Sequence, residues 1–109
     1  MKILEELIFL VFKVDGSLNT DEIQRLSDRM ATGIEGLTCS YNPDDEDYKK
    51  GFVTIDYWLG VADDTQYVDN QTFFEAIEKL CENHIESKSD DREELEKCLS
   101  KIKNDLQLS

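Results

Sequence analysis

One histidine, three cysteines and 25 Asp and Glu residues are the side chains of this sequence that could do chemistry. Cys81 and His84 stand three residues apart on an expected helix, and Cys98 could approach from the next one. Structural zinc takes four such ligands in close pairs. Only three are present here, and Cys81 and Cys98 both fall on apolar stripes, so two small core thiols and a surface histidine are the simpler expectation. No Ser or Cys sits in a nucleophile motif, and no glycine-rich phosphate loop occurs. Asp15-Gly16-Ser17-Leu18 with Glu22 echoes the second half of a calcium loop. Val11 and Lys13, however, stand where its first oxygen ligands belong, and a turn plus a helix cap explains the same residues. Neither an enzyme nor a metal or other cofactor is expected.

The acids concentrate in one place. Between Asn42 and Asp69, eight residues are Asp or Glu and only Lys49 and Lys50 oppose them. That leaves −6 there, nearly half of the chain's −13. The segment opens with the loop Asn42-Pro43-Asp44-Asp45-Glu46-Asp47-Tyr48 and continues into the strand-like run 52–59. Exposed acids like these are well solvated, which makes them poor general acids or bases. They suit a docking face for Lys and Arg. Its expected members are Asp44, Asp45, Glu46, Asp47, Asp56, Asp63 and Asp64, with Tyr48, Trp58 and Tyr67 as aromatic anchors. Trp58 has a second reading, as a residue that completes the core, which is where Trp in a small domain more often sits.

Composition narrows the partner. A pI near 4.3 disfavours direct nucleic-acid binding, which needs clustered Lys and Arg, and equally disfavours anionic lipid. A basic protein, a cation or solubility alone remain. With 109 residues, 39% of them hydrophobic, the chain suits a single domain over residues 1–109 with its own core. Cys39, Cys81 and Cys98 are an odd, widely spaced set, as expected of reduced thiols in the cytosol. The apolar start, Leu7 to Phe12, is too short to span a bilayer, and Glu5 and Glu6 interrupt any signal-peptide pattern. A soluble, cytoplasmic protein is expected.

The elements that would position these residues follow from periodicity. Residues 2 to about 13 read as a buried helix. A turn at Asp15-Gly16 follows, then a second helix capped by Asn19 and Glu22 that runs to about Ala31 and is closed by Gly33 and Gly36. Alternation predicts strands at 37–41, 51–59 and 66–68, with Val53, Ile55, Tyr57 and Leu59 on one face and Phe52, Thr54, Asp56 and Trp58 on the other. Asp69 or Asn70 caps a helix to about Ser87, and a last helix starts near Ser89-Asp90-Asp91. The expected fold class is α+β: two N-terminal helices, a small three-stranded antiparallel meander and two C-terminal helices.

This order of features resembles a known family. Gly36-Leu37-Thr38-Cys39-Ser40-Tyr41 is followed by the acidic Pro-Asp-Asp loop and by Gly51-Phe52-Val53-Thr54-Ile55. A third strand and Phe73-Phe74-Glu75-Ala76-Ile77-Glu78-Lys79-Leu80-Cys81-Glu82 come next. Over roughly residues 33 to 103 the pattern resembles the immunity proteins of bacterial contact-dependent growth inhibition (CDI) systems, specifically the group that neutralises ribonuclease toxins. The chain departs from them in a longer turn, Gly60 to Gln66. The resemblance implies an inhibitor without catalysis of its own. Its partner would be the basic C-terminal nuclease toxin domain of a CdiA-type secreted protein, bound one to one and blocked at its active site. Other readings of the residues are an acidic mimic of DNA, an adaptor module and a domain whose charge serves solubility alone.

Overall fold

The structure, a computed structural model, describes residues 8–14, 17–34, 36–57 and 64–108. Its centre is a four-stranded antiparallel sheet of β3 (Thr32–Ile34), β4 (Leu37–Ser40), β5 (Phe52–Tyr57) and β6 (Asp64–Asp69), in that order. Among the described residues three α-helices accompany it: α1 (Thr20–Ser27), α2 (Asn70–Ser87) and α3 (Arg92–Asp105). Upstream, a π-helical turn at Ile8–Phe12 leads into β1 (Lys13–Val14), which pairs with β2 (Ser17–Leu18).

Two expectations fail, and the layout of two helices, three strands and two helices fails with them. The first concerns the chain before α1. Residues 2–7 of the expected helix lie outside the described residues and Ile8–Phe12 is helical, as a π-turn, but Lys13 and Val14 then pair with Leu18 and Ser17 as a short hairpin where only a turn is expected. The second concerns β3, whose Gly33 was read as a helix stop. Its Cβ, if it had one, would lie 2.2 Å from the carbonyl oxygen of Leu37 and 2.6 Å from Thr38 Cα. Glycine therefore lets β3 close against β4, and Gly36, at φ +92°, lies in the tight connection where Ile34 pairs with Leu37. Helix α1 correspondingly ends at Ser27 and not near Ala31. Arg29 takes a left-handed φ of +62°, and Met30 N donates back to Arg25 O at 3.0 Å.

Other signals hold. Asn19 caps α1, its side chain accepting from Glu22 N, and Asp69 caps α2, accepting from Thr72 N at 2.9 Å. The hydroxyl and backbone N–H of Thr72 hold the Asp69 carboxyl below the ordinary carboxylate value. Leu37, Cys39, Val53, Ile55 and Val68 form the buried face of the sheet, as alternation expected. They join Phe73, Ile77 and Cys81 of α2, Leu95 and Ile102 of α3, and Ile23 and Leu26 of α1 in one hydrophobic cluster. Tyr41 closes the end of that core. It is 4% exposed and its hydroxyl donates to Leu26 O at 2.6 Å, while burial pushes its pKa up.

Ion pairs fasten the helices at the rim, Arg29 to Asp105 at 2.8 Å and Lys101 to Asp28 at 2.7 Å. The cysteines are all buried and free. Burial pushes the Cys39 thiol up and the Cys81 thiol up to about 12, so neither ionises near neutrality. The expected result of alkylation with iodoacetamide at pH 8 is negligible labelling of the folded protein and complete labelling in denaturant. Mass spectrometry of the alkylated protein checks this.

Candidate partner-binding surface

Sheet register decides which of the expected site residues meet. With Val53 and Ile55 facing the helices, Phe52, Thr54 and Asp56 of β5 face the opposite way. Across them, Thr38 and Thr65 flank Asp56, while Ser40 and Tyr67 flank Thr54. This outer face carries polar side chains and two aromatic rings. Thr65 Oγ1 donates to Asp56 Oδ1 at 3.0 Å, which fixes that carboxylate on the strand.

The acidic loop is tied to the same face. Asn42 Oδ1 accepts from Asp44 N at 2.9 Å, Asn42 O from Asp45 N at 3.0 Å, and Asp45 O from Tyr48 N at 3.1 Å. The backbone therefore runs as successive turns, as Asn and Asp favour. Ser40 accepts from Asn42 N and donates to the Asp45 carboxylate. The Asp47 carbonyl is held twice, by Thr54 Oγ1 at 3.3 Å and by the Tyr67 hydroxyl at 3.1 Å. Asp44, Asp45, Glu46 and Asp47 are all exposed on this fixed backbone, and Tyr48 is 36% exposed.

Asp44, Asp45, Glu46, Asp47, Tyr48, Asp56 and Tyr67 are thus gathered on or beside one face. Asp64 is not among them. It pairs with Tyr57 at the far end of the sheet, about 17 Å along the strand from Phe52. Its register also puts it on the side opposite Asp56. Trp58 and Asp63, together with the Asp15-Gly16 turn, lie outside the described residues. Ser40 and Lys49 also belong to the surface and are not among the expected members; Phe52 and Thr54, placed on this face by alternation, join them.

No group of three His, Cys, Asp or Glu side chains is placed to hold a metal among the described residues. His84 is committed elsewhere and is not a surface side chain. It is 7% exposed, and its Nε2 lies 2.7 Å from Asp91 Oδ2. A separate groove of about 380 Å3 runs between α2 and α3, with Phe74, Ile85 and Leu99 rimmed by Glu78, Glu82 and Glu96.

A family model described as CDI immunity protein matches residues 4–99. The chain belongs to the CDI immunity protein family. The match reaches well upstream of the region that carried the sequence resemblance. No curated protein and no solved structure matched the chain. Family membership makes this an immunity protein, with a CdiA toxin as its partner. Among the described residues no helix is long and apolar enough to cross a membrane.

Proposed function

We propose that this immunity protein neutralises a ribonuclease toxin by covering its active site with the acidic loop and the outer face of the sheet. The observation that carries the reading is the row Asp44-Asp45-Glu46-Asp47, exposed on a backbone pinned to Thr54 and Tyr67. A ribonuclease must hold a polyanion, so its cleft presents Lys and Arg. A surface of opposite sign steers encounter, and aromatic groups at its centre supply contact area. Asp44, Asp45, Glu46, Asp47 and Asp56 are the charged members, with Tyr48 and Tyr67 as aromatic ones. Inhibition is by occupancy, one molecule to one toxin domain, in the cytoplasm where the toxin's RNA is. No catalytic step by the inhibitor is involved.

The test mixes the purified protein with the C-terminal domain of its cognate CdiA toxin, in the presence of RNA. RNA cleavage should fall to background at one equivalent, and the toxin in the complex should no longer bind a non-cleavable RNA. A complex that forms while the toxin still binds RNA would refute blockade of the cleft.

A further inference from the structure

Two rings converge on one cation beside the acidic loop. Phe52 and Tyr67 stand edge to face, with centroids 6.3 Å apart and planes at 76°. Lys49 Nζ lies 4.8 Å from the Phe52 centroid and 5.3 Å from that of Tyr67, within the range of cation–π attraction to both. Lys49 stands in the most acidic part of the chain, yet among the described residues its ammonium is in none of the ion pairs. The rings are set in place from behind. They come from adjacent strands, one diagonal step apart in the register, and Asp47 O holds the Tyr67 hydroxyl.

We propose that the Phe52–Tyr67 pair is a cation subsite of the toxin-binding face, occupied by Lys49 in the free protein and by a lysine or arginine of the toxin in the complex. This rests on the reading that the toxin docks on this face. Lys49 is exposed on the loop, so its flexible side chain can swing into water and regain rotamer freedom when displaced. An incoming guanidinium gains more from the same rings, because it is planar, stacks on them and is more weakly hydrated than an ammonium. Lys49 thereby keeps two aromatic rings covered until the partner arrives, and it competes with that partner.

The test compares Lys49→Ala with Lys50→Ala. Each removes one positive charge from the same loop, so long-range steering changes equally, but only the first empties the cradle; Lys50 is exposed and lies over neither ring. Affinity for the toxin domain, measured by calorimetry or interferometry, should rise about two- to tenfold more for Lys49→Ala than for Lys50→Ala. Placing each variant in a Phe52→Leu background should abolish that difference. Lys49→Gln serves if Lys49→Ala lowers the thermal midpoint. Equal or weaker binding by the Lys49 variants overturns the subsite. Running Asp44→Asn/Asp45→Asn/Asp47→Asn alongside separates the two claims. If that protein associates slowly while the lysine variants match each other, only the subsite falls. If it associates like the unaltered protein, the toxin docks elsewhere and both fall.

Discussion

Asp44→Asn, Asp45→Asn and Asp47→Asn introduced together should slow association with the cognate toxin domain by about tenfold to a hundredfold at low salt. The three changes remove charge and little else. The turns of the loop are made by backbone groups and by Asn42, and asparagine at position 45 still offers Ser40 an acceptor. The field at the loop falls by three charges in a segment whose remaining acids are Glu46 and more distant carboxylates. Opposite charges at exposed positions act chiefly on encounter, so the association rate should carry most of the change and dissociation less. The same variant should show a shallower dependence on ionic strength, since fewer charges remain to be screened across a Debye length of about 8 Å at physiological salt. Stopped-flow mixing at two salt concentrations measures both. An unchanged rate with an unchanged salt slope would remove the loop from the steering face.

Phe73→Ala should have the largest effect on stability, about 3–5 kcal/mol. Phe73 has 0% exposure at the end of the first turn after the Asp69 cap, where α2 joins the sheet and α3 in one core. Truncation loses the buried ring surface and leaves a cavity, because the surrounding core, including Ile77 one turn on, is held by the helix and strand backbones and relaxes only in part. Domains of this size are stable by roughly 5–15 kcal/mol, so a large share is removed. Urea unfolding should show the midpoint falling steeply with little change in slope, and immunity in cells should fall through loss of folded protein. The triple loop variant makes the contrast: its unfolding free energy should stay within about 0.5 kcal/mol of the unaltered protein's, as for exposed sites generally. A Phe73→Ala protein as stable as its parent would mean that the core is not built around this ring.

Which parts of this architecture were legible depends on how local each signal is. Asn19 before Glu22, and Asp69 or Asn70 at the head of α2, were readable as caps because such chemistry is complete within one turn; Asp69 is the one that caps α2, through Thr72. The faces of β5 were readable from alternation alone. The strand β3 was not, because Gly33 serves it through a close approach to Leu37 and Thr38 on a neighbouring strand. A glycine that stops a helix and one that admits a strand look the same in sequence. For the surface, the acids of residues 44–47 announced themselves by density. Their attachment did not, since Thr54 and Tyr67 reach the Asp47 carbonyl from β5 and β6. Asp64 was grouped with these acids by its neighbours in the chain, but register sends it to the far end and the other side of the sheet. Lys49 counted only as an opposing charge until its position over two rings was seen.

Backbone amide protection mapped by hydrogen exchange, on the immunity protein alone and bound to its toxin domain, addresses the central claim most directly. The account expects new protection at residues 42–48 and along β5 and β6, with the α2–α3 groove around Glu82 and Leu99 unchanged. Protection confined to that groove, with the acidic loop exchanging as in the free protein, would contradict it.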